Sequence, residues 1–560
     1  MNEAQPLSGA DWLAQALAAA GTSHVFFVES VLRRTLFELK QLGVEPVLAH
    51  SEKAAAYMAD GYARVAMRPG ICMAQSVGAA NLAAGLQDPY LGRSPVIALT
   101  GRKPHSFQDR NAYQEIAHAP LFAAVTKFSS AVDNAAELPR LLRHCWRVAL
   151  SGTPRPTHLD FAGHQGDAIE LQQVAQAPVI DPSSPQVPPH RPIAAAADVE
   201  RAAAAVLSSR RLAIVAGEGA LASGAGPELT ALGEALSAPV LTSLGARGII
   251  PTRHPLSAGV PGTYSAPPAN RILYGADRVL FVGCDTGDQV TLNWTVPAPG
   301  TPIVQIDADP VEIGRSYANT IAVLGDPKAS LALLNEAIGR PRRDRAFLDD
   351  AQRLVAEWRR GMTPLLDSNA VPIRVERLCA EVTRALPADA ILVADTGYSG
   401  IWTGTLVELN GAGQSYLRAA GSLGWAFPAS LGTKCAAPGR KVLCFTGDGG
   451  FYYHLAELET ARRRGIAVAL VVNNNSGFGQ NLPGVRRALG NRPGNIDDLV
   501  RFGPTDFAAV ARSFGVRGIR VERPGEIGPA LAAALDAEET VVVDVVTDIE
   551  PRAPEPWAPG

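Results

Sequence analysis

Three α/β domains in one chain, each a mostly parallel sheet covered by helices, are what this sequence predicts. Short buried apolar runs alternate with amphipathic helical stretches from end to end, the pattern that builds such layers. The length of 560 residues is too great for a single core. Two stretches of different character interrupt the pattern: the Pro-rich run Ala177 to Pro192 and a charged, helix-like segment from Gly339 to Asp367. They divide the chain into residues 1–180, 190–340 and 365–560.

Composition removes several classes. Apolar residues make up 47% and charged residues 19%, which describes an ordinary folded protein and no disordered one. A net charge of −3 argues against nucleic acid, which needs a basic patch. No apolar run approaches the roughly 20 residues of a membrane helix. The first apolar stretch follows acidic residues and no basic region, so no signal peptide is expected and the reading is cytoplasmic. Cysteines 72, 145, 284, 379, 435 and 444 lack metal-type spacing and read as reduced and buried.

The chemistry concentrates near residue 450. Val442–Thr446 reads as a buried strand ending in Gly447-Asp448-Gly449. A helical pattern follows, starting near Phe451, with Leu455, Leu458 and Ala461 on one face. A second strand, Val468–Val472, runs directly into Asn473-Asn474-Asn475. Such a βαβ unit makes its strands parallel, so Asp448 and Asn475 meet at one carboxyl edge, where open α/β sheets bind ligands. A carboxylate and an amide oxygen suit Mg²⁺, which completes its shell with phosphates. Gly447, Gly449 and Gly450 let backbone approach a phosphate, and the following helix points its positive end at it. Either motif alone is ordinary turn punctuation; one on each strand of a single βαβ unit is a site.

This run resembles the diphosphate-binding motif of thiamine diphosphate (ThDP) enzymes, GDG followed about two dozen residues later by NN. The resemblance implies that Asp448, Asn475 and the carbonyl of Gly477 hold Mg²⁺, with Gly447, Gly449, Gly450 and Phe478 against the cofactor. Members often carry Ser after GDG, whereas Gly450 offers only its backbone. A second element matches too. Ala49–Arg64, with Glu52 opening a helix of small residues and Ala59-Asp60-Gly61-Tyr62-Ala63-Arg64 following, is similar to a segment of acetolactate synthase-like members. There the Glu shares a proton with N1′ of the aminopyrimidine and so activates the thiazolium. Without the family, Glu52 would be a favourable charge at a helix N-terminus. Ser51 stands where His is usual.

Further matches fill in the site. Ala74–Asn81 resembles the family's SGPGATN loop, with Val77 in the place of its Gly-Pro pair. Tyr113-Gln114-Glu115 matches its F-Q-E segment, which makes Gln114 a site candidate facing cofactor or substrate. Gly421–Ala429 is similar to the loop and helix holding the aminopyrimidine, with Leu423 as the apolar wedge that bends the cofactor, and the Gly421 carbonyl and Leu423 N–H as its hydrogen-bonding groups. Asp395-Thr396-Gly397-Tyr398-Ser399 looks like the other phosphate turn, so Thr396, Gly397 and Tyr398 join the cofactor set. Phe478 and Gln480 follow the asparagines and should cover the substrate side.

In the middle unit, Gly217-Glu218-Gly219 after a strand suggests a nucleotide turn without the full G-x-G-x-x-G spacing, and Asp307 ends another strand. Relatives hold FAD, an ADP moiety or nothing there, and the sequence leaves all three open.

The resemblance spans nearly the whole chain and points to the acetolactate synthase, benzaldehyde lyase and 2-hydroxyacyl-CoA lyase branch. It implies a ThDP- and Mg²⁺-dependent lyase or carboligase acting on a short 2-oxo acid or 2-hydroxyacyl compound, in a homodimer or homotetramer with active sites at the subunit interface. Gln114 and Gln480 would orient the acceptor. Plain 2-oxo acid decarboxylation is the alternative. It is disfavoured because aldehyde release needs a proton donor, often His in decarboxylase relatives, and Val31, Leu32 and Ser51 stand where one would be sought.

Overall fold

The computed structural model describes residues 6–181, 185–339, 341, 344–490 and 492–560. The extreme N-terminus and parts of both expected linkers, at 182–184 and at 340, 342 and 343, therefore lie outside the described residues. The chain forms three six-stranded parallel sheets, one per domain, as expected, and a two-stranded antiparallel pair, Leu7–Ser8 with Gln173–Val174.

In the N-terminal sheet the strands lie in the order Glu45–Leu48, His24–Phe27, Gly70–Gln75, Val96–Arg102, Thr157–Ala162 and Phe128–Val132. The C-terminal sheet runs Ser415–Arg418, Ile391–Ala394, Val442–Gly447, Ala469–Asn474, Val541–Val546 and Arg517–Val521. Counted along the chain, both follow the order 2-1-3-4-6-5. The two domains are thus one architecture used twice, with no exact repeat in sequence to announce it. The middle sheet is built differently, as Ser257–Gly259, Val240–Thr242, Leu212–Ala216, Arg278–Val282, Ile303–Asp307 and Thr320–Leu324. That order, 3-2-1-4-5-6, is the Rossmann arrangement, with its switch point between Leu212–Ala216 and Arg278–Val282. The charged segment before the C-terminal domain is the helix Ala346–Leu366.

Central strands are apolar throughout because helices cover both faces of each sheet; all of Val96–Arg102 is buried. The first and third domains share one core through the helices Glu52–Ala66 and Ala426–Ala436. Small residues let these helices touch backbone to backbone. A Cβ added at Gly61 would sit 2.0 Å from the Ala429 carbonyl oxygen, and one at Gly432 only 1.8 Å from that of Met58. Ser51, in the place of the usual His, caps the first of these helices by accepting from Ala54 N–H at 3.0 Å. Val31 and Leu32 are buried in the N-terminal core. All six cysteines are unpaired, and all but Cys435 are fully buried.

Candidate functional site

The strands Val442–Gly447 and Ala469–Asn474 pair in parallel, with Gly447 opposite Asn473, so their C-terminal ends meet on one edge. The expected helix after the first strand differs in detail. It begins at Asp448, stops at Phe451 and resumes at Glu457–Arg464. Asp448 itself is therefore the first helical residue, with its carboxylate drawn back over the helix N-terminus. Its Oδ1 accepts from Gly449 N–H at 2.7 Å and its Oδ2 from Gly477 N–H at 3.1 Å. Burial pushes this carboxyl up to about 6 against the opposing pull of the Gly449, Gly477, Ser476 and Asn475 amides. Asn475 Oδ1 is buried and has no hydrogen-bond partner. A buried carboxylate beside an unpartnered amide oxygen is a donor set that a hard divalent cation fits. Among the described residues no group of three or more His, Cys, Asp or Glu side chains is placed to hold a metal ion, so a cation at this edge would rest on mixed donors.

At Gly449 and Gly450 the packing leaves no room for a Cβ. At Gly450 a Cβ would stand 2.7 Å from Asp395 Oδ2 and 2.8 Å from Thr446 Oγ1. A side chain at this position would have to displace Asp395 or Thr446. Asp395 Oδ1 accepts from Thr396 N–H at 2.8 Å and Gly424 N–H at 3.1 Å, and its Oδ2 from the Thr446 hydroxyl at 2.9 Å. Asp395 thus ties three expected cofactor segments together, a role its place in the sequence does not reveal. Gly397 has φ +66° and precedes the helix Tyr398–Leu406; a Cβ there would meet Gln480 Oε1 at 2.5 Å. That places Gln480 beside the Thr396–Tyr398 turn. Phe478 lies over Gly449, where a Cβ would come within 2.5 Å of its ring, and packs edge-on against Phe502 at 4.8 Å.

The 420–425 loop is anchored from the N-terminal domain. Asp88 accepts from the N–H groups of Ala420, Gly421 and Ser422 at 3.0, 3.2 and 2.9 Å. Trp425 Nε1 donates to Asp60 at 2.9 Å, and Arg64 pairs with both aspartates. These bonds leave the Gly421 carbonyl and the Leu423 N–H, the two expected pyrimidine contacts, without partners among the described residues. Leu423 itself is half-buried. Asp60, Asp88 and Arg64 thus hold this loop, and motif reading alone did not single them out.

Glu52 is the first residue of its helix. Its Oε2 accepts from Asn81 Nδ2 at 3.1 Å, and its Oε1 lies 2.5 Å from where a Gly78 Cβ would be. Gln114, half-buried, adopts φ +61° and accepts on its carbonyl from the Ser76 hydroxyl. The residues expected on the pyrimidine side, Glu52, Gly78, Asn81 and Gln114, form one group, and Asp448, Asn475, Gly477, Phe478 and Gln480 another. Among the described residues no hydrogen bond or ion pair joins the two groups within the chain.

The comparisons with known proteins match this division. Three family models cover the chain: the thiamine pyrophosphate enzyme N-terminal TPP binding domain over residues 7–121, its central domain over 199–334 and its C-terminal TPP binding domain over 395–545. A probable acetolactate synthase large subunit from Methanocaldococcus jannaschii is 30% identical over 557 residues, 97% of this chain and 92% of the relative. The chain belongs to the ThDP enzymes of the acetolactate synthase family. The isozyme 2 large subunit of acetolactate synthase from Escherichia coli K12 is 27% identical over 547 residues, 97% of this chain and 96% of that one. A probable acetolactate synthase large subunit from Methanococcus aeolicus is 29% identical over 520 residues, 90% of this chain and 85% of its own. The protein is thus a ThDP-dependent enzyme with the pyrimidine, middle and diphosphate domains in that order.

Proposed function

We propose that the protein is a Mg²⁺- and ThDP-dependent carboligase that joins or cleaves a carbon–carbon bond in a short 2-oxo acid or 2-hydroxyacyl compound. The observation that carries this reading is the carboxyl edge where Asp448, the unpartnered Asn475 Oδ1 and Gly477 converge. Near-full-length similarity to acetolactate synthases favours ketol formation from 2-oxo acids. Bound ThDP supplies a carbon nucleophile for a substrate carbonyl and a sink for the electrons released when a bond to that carbon breaks. The chain's own residues do the rest. Asp448, Asn475 and the Gly477 carbonyl hold Mg²⁺ against the diphosphate, with Gly447, Gly449, Gly450 and the Thr396–Tyr398 turn around it. Gly421 and Leu423 orient the pyrimidine, and Glu52 holds a proton at its N1′. Phe478 keeps water from the face that Gln114 and Gln480 present to the acceptor.

Because Glu52 and Asp448 lie in separate groups within one chain, the complete site is assembled between the pyrimidine side of one protomer and the diphosphate side of another, in a homodimer or homotetramer. The test is a product panel on purified enzyme with ThDP and Mg²⁺. Ketol formation or cleavage supports the reading, and free aldehyde alone from pyruvate-like acids replaces it with decarboxylation.

A specific observation favours a nucleotide in the middle domain as well. A cavity of about 1060 Å³ opens at the switch point, lined by Glu218, Gly219, Gly283, Asp285 and Asp307 among others. Gly217 is obligatory there, since a Cβ would lie 2.2 Å from the Gly283 carbonyl oxygen. Asp307 ends the strand Ile303–Asp307 at the rim of this cavity, within reach of a ribose hydroxyl, and burial pushes its carboxyl up to about 7. FAD or an ADP moiety fits this site; spectra and chromatography of the small molecules released on denaturation decide between them and neither.

A further inference from the structure

Behind the pyrimidine-side loops lies a buried polar cluster with no part in the chemistry above. His118 is 3% exposed, and its two ring nitrogens face two acceptors. Nε2 stands 2.9 Å from the Ser76 carbonyl oxygen and Nδ1 2.9 Å from Asp160 Oδ1. A carbonyl only accepts, so Nε2 carries the hydrogen of that bond. Asp160 is braced in turn. The Thr100 hydroxyl donates to its Oδ1 at 2.7 Å, and Arg102 Nε lies 3.5 Å from its Oδ2. With its hydrogen so committed, Thr100 Oγ1 accepts from His158 Nε2 at 2.7 Å, and His158 Nδ1 accepts from the Ser129 hydroxyl at 2.8 Å. Burial pushes His158 down to about 3, which keeps its ring neutral as this order of donors requires. Phe122 stacks on that ring at 3.6 Å.

What the cluster grips is a strained turn. Ser76 sits at φ +33°, a left-handed conformation that persists in a non-glycine residue only when its surroundings enforce it. Its hydroxyl donates to the carbonyl of Gln114, which is itself at φ +61°. Two residues beyond Ser76, Gly78 abuts the Glu52 carboxylate, and Asn81 donates to it at 3.1 Å. The Ser76 carbonyl is therefore the point where the buried cluster holds both loops that surround Glu52.

We propose that His118, braced by Asp160, is a positioning residue: its Nε2 bond to the Ser76 carbonyl holds the 76–81 turn and the Gln114 backbone so that Glu52 meets the aminopyrimidine. This rests on the ThDP role assigned to Glu52 above. Released from that bond, the turn relaxes toward an ordinary conformation, and a displacement of a fraction of an ångström at a proton-sharing carboxylate slows exchange about tenfold or more. A histidine that merely filled the core would act through stability alone.

Two substitutions separate these roles. The amide nitrogen of His118→Gln reaches the position of Nε2 and keeps the bond to Ser76; that of His118→Asn reaches only the position of Nδ1, toward Asp160. In the full-length enzyme loaded with ThDP and Mg²⁺, hydrogen–deuterium exchange at the cofactor's C2 is followed by NMR, with calorimetric cofactor affinity and thermal midpoint measured beside it. The expected result is exchange slowed about tenfold or more in His118→Asn, recovery to within about threefold of wild type in His118→Gln, and similar affinities and midpoints for both. Equal exchange in the two variants, or slowing that follows a fallen midpoint, overturns the proposal. Glu52→Gln serves as the control. If it exchanges like wild type, the role of Glu52 fails and this one with it; if it is slow while His118→Asn is not, only the role of His118 is rejected.

Discussion

Gly78 and Glu52 fit together with no room for a methyl group: a Cβ on Gly78 would stand 2.5 Å from Glu52 Oε1 and 3.1 Å from its carboxyl carbon. Residue 78 is in no left-handed conformation, so the requirement comes from contact and not from φ. Gly78→Ala is expected to push the carboxylate aside while leaving the fold intact. C2 exchange should fall by on the order of 10–100-fold with ThDP affinity little changed. Wild-type exchange in this variant would show that Glu52 is not held where activation needs it.

At the opposite half-site, Asp448→Ala removes the one carboxylate among the expected metal donors and leaves the diphosphate charge uncompensated. Calorimetry should find no ThDP binding in the variant, and none in wild type stripped with a chelator until Mg²⁺ is restored. Unchanged affinity in the variant would sink the assignment of Asp448.

Asp395 offers a pH test. Its carboxyl is pushed up to about 6, burial outweighing the bonds from Thr396, Thr446 and Gly424. Since the folded value lies above the ordinary carboxylate range, the folded protein favours the protonated form. The stability from this group is complete below about pH 4 and is lost as pH rises through about 6. Asp395→Asn keeps an oxygen toward Thr396 and Gly424 and a neutral group toward Thr446. It should therefore be more stable than wild type at pH 7.5, by on the order of 2 kcal/mol, and lose that advantage by pH 4. Urea unfolding of cofactor-free protein at both pH values measures the difference. An advantage of equal size at both would contradict the shift.

A site shared between subunits, as proposed, predicts complementation. Glu52→Gln and Asp448→Ala subunits should each be inactive and, mixed under conditions of subunit exchange, recover activity through heterodimers that carry one intact site. No recovery with exchange demonstrated would place both half-sites within one chain.

Much of this was legible without coordinates. Alternating apolar and amphipathic stretches determined three parallel α/β domains, because a strand covered by helices on both faces must be apolar along its length. Strand-end motifs determined the edge at Asp448 and Asn475, because a βαβ unit brings successive strand ends to one side. What only the tertiary structure decided depends on partners far apart in the chain. The common strand order of the first and third sheets is invisible in sequence, since topology constrains which strands pair and not which residues compose them. Gly450 has no room for a side chain because Asp395, more than fifty residues earlier, already fills the space. Asp88 gathers the amides of Ala420, Gly421 and Ser422 from another domain, and His118 grips Ser76 from a neighbouring element. A hydrogen bond needs two groups within about 3 Å in space, and no local pattern of residue types marks the pairs that folding brings that close.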